Sequence, residues 1–237
     1  MQLRDRAGNV LGVQARATGL AALYRRARVR RLLGRHVNRA AWEARQQTIF
    51  RTHFLGVPLL KQPTDLWTYQ ELVSEVRPDL VVETGTYRGG TALYLACVCE
   101  LLGNGRVISV DIERRGEPPE HPRAEFLIGS SVAEEVRAEI DRAAADAERV
   151  LVILDSDHRR EHVLAELRAY ADLVTVGSYV VVEDTNINGH PVEPGWGPGP
   201  MEAVEAFLAE DPRFSPDPDR ERHFLTLSPR GYLRRIR

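Results

Sequence analysis

Two apolar runs in the chain end in residues that ligate cations or move protons. One finishes Leu154-Asp155-Ser156-Asp157-His158 and the other Val182-Glu183-Asp184-Thr185-Asn186. Carboxylates brought together repel unless protons or a cation intervene. Oxygen ligands that retain a water or two suit Mg²⁺, with Ca²⁺ and Mn²⁺ as further candidates. Asp155, Asp157, Glu183 and Asp184 are therefore candidate ligands of one divalent cation. The competing reading is structural: some of these acids cap the following helix or pair with Arg159 and Arg160. Both hold together, since a hard-cation site needs only two or three acids. His162 follows His158 at i,i+4, a zinc-like spacing, but no third nitrogen or sulfur ligand is in register.

A glycine-rich stretch offers a binding loop. Val81-Val82-Glu83-Thr84-Gly85-Thr86-Tyr87-Arg88-Gly89-Gly90-Thr91 closes one apolar run and opens a helical one. Glycines at such a turn let the backbone bend sharply and let a ligand approach closely. The G-x-G-x-x-G spacing of dinucleotide-binding loops is absent, which disfavours a nicotinamide dehydrogenase. Gly85 followed by Gly89, with an acid two residues before the first glycine, is the spacing of methyltransferases. Glu83 would repel a pyrophosphate but suits the cationic methionine part of S-adenosylmethionine. Asp111 ends the next apolar run, where a carboxylate accepts both hydroxyls of a ribose, with Ile112 beside it. Gly129-Ser130-Ser131 ends the one after and borders the expected adenine position. The expected cofactor contacts are Glu83, Gly85, Thr86, Tyr87, Gly89, Gly90, Thr91, Asp111, Ile112, Ser130, Ser131 and Asp155.

Elements that bring these residues together follow from the apolar pattern. Continuous Val/Ile/Leu runs at 80–83, 106–111, 124–128, 150–154 and 178–182 predict parallel strands covered on both faces. Between them, helices are predicted from the glycine turn to residue 102, over 132–147 and over 161–171, and a further one over 201–209. Segments 223–227 and 232–236 predict an antiparallel pair at the sheet edge. The fold class is α/β, a Rossmann-like class I methyltransferase sheet, mostly parallel with an antiparallel terminal strand. In such a sheet the carboxyl ends of neighbouring strands open into one crevice.

Upstream, residues 1–50 read as two basic amphipathic helices and 54–60 as an extended stretch. A helix N-capped by Thr64 or Asp65 runs to about Arg77, before Pro78. The predicted organisation is a helical, Arg-rich extension over 1–60 and a methyltransferase domain over 61–237. Residues 186–200, rich in Gly and Pro, read as a lid or acceptor-binding loop. Trp67 and Trp196 either stack on an acceptor ring or pack.

Composition narrows the function classes. The 237 residues are 43% hydrophobic and 28% charged, with a formal net charge of -2, which carries no nucleic-acid signature. Only the N-terminal fifth is lopsided, with eleven arginines between Arg4 and Arg45 against Asp5 and Glu43; a solvated helix face or a subunit contact is the expected use of residues 25–31. Lys61 is the single lysine of the chain. No apolar run is long enough to span a bilayer, and a cytoplasmic protein without membrane or nucleic-acid partners is expected. Self-association through the helical extension is expected too. Cys97 and Cys99 read as inert thiols.

Taken with these residues, the chain resembles a family of bacterial natural-product methyltransferases, which includes the cephamycin-pathway enzyme labelled cephalosporin hydroxylase and the rhamnosyl O-methyltransferases. Lys61-Gln62-Pro63-Thr64-Asp65-Leu66-Trp67, the Glu83 to Thr91 loop, Leu154 to His158, EDTNINGHP from Glu183 and GPGPM from Gly197 carry the resemblance. It implies an S-adenosylmethionine-dependent O-methyltransferase of antibiotic or other natural-product biosynthesis, acting with Mg²⁺ on a small-molecule hydroxyl. By likeness to catechol and caffeoyl-CoA O-methyltransferases, Asp155, Glu183 and Asp184 are the implied ligands, with Asp157 the alternative to Asp155. Those relatives carry a general-base lysine where this chain has His158, so His158 is the expected base. The alternative is a non-catalytic S-adenosylmethionine-binding subunit of a hydroxylase or oxygenase system.

Overall fold

The structure is a computed structural model that describes residues 27–237, with side chains described from residue 32. The expected first helix of the extension, and residues 25–31 as a contact surface, lie outside the described side chains. The second is present as α1 (Ala27–Glu43). The extended stretch before the domain is a tight antiparallel pair, β1 (His53–Phe54) and β2 (Val57–Pro58), turning through Leu55 and Gly56, both at positive φ.

Helix α2 (Pro63–Val76) leads into β3 (Leu80–Thr84), α3 (Gly90–Leu102), β4 (Arg106–Asp111), β5 (Ala124–Ile128), α4 (Glu134–Ala144), β6 (Val150–Leu154), α5 (Arg160–Tyr170), β7 (Tyr179–Val182), α6 (Pro200–Glu210), β8 (Phe214–Pro216) and β9 (Tyr232–Arg235). Seven strands form one sheet in the order β5-β4-β3-β6-β7-β9-β8. The first five are mutually parallel; β9 runs antiparallel to β7, and β8 antiparallel to β9. The direction of strand progression reverses between β3 and β6, so the crevice opens at their carboxyl ends.

Period-two alternation divides the core between two faces. Val82, Ile108, Val110, Val152, Leu154 and Val180 pack with α4, α5 and α6, while Val81, Val107, Leu151, Ile153 and Val181 pack with α2 and α3. Each such side chain, fully buried, contributes roughly 1.5–3 kcal/mol. No helix among the described residues is long and apolar enough to cross a membrane. Cys99 is buried and Cys97 half-buried, and burial pushes both thiols up, Cys99 to about 11.

Three boundaries differ from the sequence expectation. Helix α2 starts one residue earlier than Thr64, with Gln62 as its N-cap and Pro63 in its first turn, a position where a missing N–H costs nothing. Thr64 and Asp65 are then free for tertiary bonds: the Thr64 hydroxyl donates to the Leu225 carbonyl, and Asp65 accepts from the Leu227 N–H and the Tyr232 hydroxyl. Helix α4 is shorter at both ends than 132–147. Segment 223–227 is not a strand. The Leu227 N–H is held by Asp65 and its carbonyl accepts from Asn186 N–H, so this segment crosses the sheet end, and β8 supplies the edge partner of β9 instead.

Asp65 therefore pins α2 to the C-terminal segment from a fully buried position. Asp65→Ala removes the acceptor of the buried Leu227 N–H and the shorter of the two contacts of the Tyr232 hydroxyl, and is expected to lower unfolding free energy in urea by about 2–4 kcal/mol; a loss below about 1 kcal/mol would contradict this role.

Candidate active site

The glycine turn after β3 is shaped by close approach. Gly85 sits at φ +89, and a Cβ there would come 1.9 Å from the Asp155 carbonyl oxygen. At Gly90, the first residue of α3, a Cβ would meet the Pro58 carbonyl oxygen at 2.4 Å. Both positions admit only glycine without movement of the backbone. Tyr87, also at positive φ, donates its N–H to Asp111 Oδ2 at 2.9 Å, which aims the Asp111 carboxylate across the crevice mouth.

The crevice has a volume of about 640 Å³. Its walls bring together most of the predicted contacts: Gly85, Thr86, Tyr87, Gly90 and Thr91 from the turn, Asp111 and Ile112 from the end of β4, Ser130 and Ser131 beyond β5, and Asp155, Asp157, His158 and Asp184 beyond β6 and β7. Pro58, Leu59 and Leu60 close one side. The loop at 186–200, expected as a lid, contributes none of the lining residues. It is tied down instead: Glu202 of α6 accepts from Asn188 Nδ2 and the Gly199 N–H, and lies 2.9 Å from His190 Nε2. From α1, Arg39 donates to the Pro191 carbonyl, and Trp42 and Arg45 donate to Glu193. Trp67 and Trp196 are exposed and line no part of the crevice.

Three predicted contacts sit elsewhere. Glu83 lies fully buried and outside the lining, with Oε2 accepting from Ser109 Oγ at 2.5 Å; burial raises its pKa to about 8, opposed by Ser109 and Lys61. Gly89 is the left-handed N-cap of α3, facing Pro119 and Phe126. Glu183 is buried and accepts from Ser228 Oγ at 2.7 Å. Both glutamates are held by buried partners on the inner side of the wall, Glu83 by Ser109 and Glu183 by Ser228 and Lys61.

Asp155, His158 and Asp184 form the compact group: one donor atom from each lies within 4.8 Å of the others. His158 Nε2 is 3.0 Å from Asp184 Oδ2, and Asp184 Oδ1 is buried without a hydrogen-bond partner. Two carboxylates and an imidazole, with one acceptor atom left unsatisfied, fit a divalent cation. Asp157 is engaged by Arg159, whose N–H and guanidinium both donate to it, which is the arginine pairing expected of some of these acids. Burial works against a charged His158, but Asp184 outweighs it and raises its pKa to about 9; Asp184 is correspondingly held below the usual carboxylate range despite its burial.

Sequence reasoning missed two members. Lys61 reaches the cluster from the segment before α2, with Nζ 2.6 Å from Asp155 Oδ2 and 3.0 Å from Glu183 Oε1. The signal was there: a chain whose other basic residues are all arginine retains one lysine, inside a recognised motif. Glu166 of α5 is fully buried and accepts from Ser131 Oγ and Ser156 Oγ at 2.6 and 2.7 Å, beside His162. His162 thus belongs to this serine–glutamate group and not to a histidine pair on a metal.

The family model described as Rhamnosyl O-methyltransferase/CmcI matches residues 46–236. The chain belongs to the rhamnosyl O-methyltransferase/CmcI family. A rhamnosyl O-methyltransferase of Mycobacterium tuberculosis is 41% identical over 190 residues, covering 77% of this chain and 78% of that one; one of Mycobacterium leprae is 40% identical over 188 residues, covering 77% and 82%. Among solved structures, CmcI with Mg and SAM superposes with a TM-score of 0.61 at 20% identity, covering 80% of this chain and 78% of that one. That likeness bears out the α/β fold and its antiparallel terminal strand.

The His158–Asp184 pair sets a pH dependence for the cation-free protein. His158 is raised in the folded state, so its stabilisation is complete below about pH 6.5 and is lost as pH rises towards 9. In chelator, the difference in melting temperature between wild type and His158→Asn is expected to be largest below pH 6.5, equivalent to at most about 3 kcal/mol, and to vanish above pH 9. A difference independent of pH would contradict this.

Proposed function

We propose that this O-methyltransferase transfers the sulfonium methyl of S-adenosylmethionine to a hydroxyl of a small-molecule acceptor, a sugar or natural-product scaffold, with a divalent cation at Asp155 and Asp184. The acceptor class is supported by the 40–41% identity to enzymes named for rhamnosyl methylation. The reading is carried by one observation: Asp155, His158 and Asp184 line the same crevice as the glycine turn and Asp111. Residues 61–237 form the catalytic domain on this reading, within secondary metabolism.

Asp111, fixed by the Tyr87 N–H, keeps lone pairs free to accept the ribose hydroxyls. Ser130 and Ser131 border the adenine, while Gly85 and Gly90 let the donor lie against the backbone. The Pro58–Leu60 wall limits water at the reacting atoms. His158 is the base on this reading: its imidazole accepts the acceptor's hydroxyl proton from the neutral form, which the Asp184 contact disfavours below about pH 9. As the oxygen attacks, the C–O bond forms, the methyl–sulfur bond breaks, and S-adenosylhomocysteine leaves. Bound Mg²⁺ would supply positive charge that favours the deprotonated acceptor oxygen. Glu183, behind the lining, supports Asp155 through Lys61.

Labelled S-adenosylmethionine with a rhamnose-bearing acceptor tests this. Wild type is expected to transfer label and to lose activity in chelator. Asp184→Asn is expected to lower kcat at least about 100-fold, near 2.7 kcal/mol of barrier, with KM for the donor little changed, whereas Asp111→Asn raises that KM. Transfer indifferent to chelator and to Asp184→Asn would remove the cation from the reaction.

A further inference from the structure

Lys61 is buried, 2% exposed, and bridges two acids that follow adjacent parallel strands, Asp155 after β6 and Glu183 after β7. It arrives on a separate element, directly ahead of α2, which the buried Asp65 fastens to the C-terminal segment. The ammonium is therefore held in place by the fold and cannot swing into solvent. Asp155 faces both ways: its carboxylate takes the ammonium and belongs to the group that can hold a cation at the crevice. A fixed positive charge beside a divalent ion repels it, and a fixed positive charge between two carboxylates draws off part of their field.

We propose that Lys61 is a positioning residue that serves as a resident counter-cation: its ammonium locks Asp155 against Glu183 and weakens the crevice's grip on its divalent ion, keeping the ion exchangeable. This rests on the cation reading of Asp155 and Asp184. A lysine with a merely structural role makes the opposite prediction, because its loss would loosen the carboxylates and weaken the ion's binding.

Titration calorimetry of Mn²⁺ into the chelator-treated full chain decides between them. Lys61→Met is expected to bind Mn²⁺ at least about ten-fold more tightly than wild type, and to gain more in melting temperature from saturating Mn²⁺. Lys61→Met alone leaves the buried Glu183 and the half-buried Asp155 uncompensated and is the variant at risk of misfolding. The pair Lys61→Met with Glu183→Gln, which removes one charge of each sign, is therefore measured beside it and is expected to stay within about three-fold of wild type. Unchanged or weaker binding by Lys61→Met, or binding by the pair more than about ten-fold weaker than wild type, overturns the role of Lys61 alone. Absence of Mn²⁺ binding in wild type overturns the cation reading and this inference with it.

Discussion

Two carboxylates on neighbouring strand ends share one buried ammonium, and the crevice is organised around that ion triad. Parallel β6 and β7 place Asp155 and Glu183 on the same side of the sheet, where mutual repulsion and lost hydration would each cost several kcal/mol without a partner. Lys61 meets that demand for Glu183 and for one oxygen of Asp155. It leaves Asp184, paired with His158 through one oxygen and unsatisfied at the other, as the acid on the wall that Lys61 does not bond. The electrostatics of the crevice are thus split between a structural ion pair behind the wall and a reactive group on it.

The remaining architecture serves approach and orientation. Gly85 and Gly90 bring the turn after β3 against Asp155 and against β2 more closely than a side chain allows, so the crevice wall on that side is set by backbone contacts. The reversal of strand progression between β3 and β6 opens the sheet where these residues converge. Outside the crevice lining, the 186–200 segment is bound to both α1 and α6. Shape there is built in advance, through the depressed Glu202 carboxylate that burial opposes and its Gly199, His190 and Asn188 partners favour.

Five parallel strands were legible to within a residue because buried β runs in this chain are continuous Val/Ile/Leu and end at polar residues. The location of the crevice followed from that alone. What the pattern hid was the layer of each strand-end residue: Glu83 and Glu183 look like lining acids by type but face the interior. The segment at 223–227 is a short apolar stretch of strand-like composition, yet its backbone bonds go to Asp65 and Asn186. Lys61 was marked only by being the single lysine, since it reaches Asp155 and Glu183 from an element distant in sequence, and Glu166, ten residues beyond Ser156, is set apart from an ordinary helix acid only by its burial.

On the proposed reading, Asp155 and Asp184 together take a divalent cation beside the donor site. Electron paramagnetic resonance of Mn²⁺ titrated into chelator-treated wild type and into a variant carrying both Asp155→Asn and Asp184→Asn tests it most directly. One bound ion per chain is expected in wild type and none in the doubly substituted protein. Equal binding by the two would contradict it.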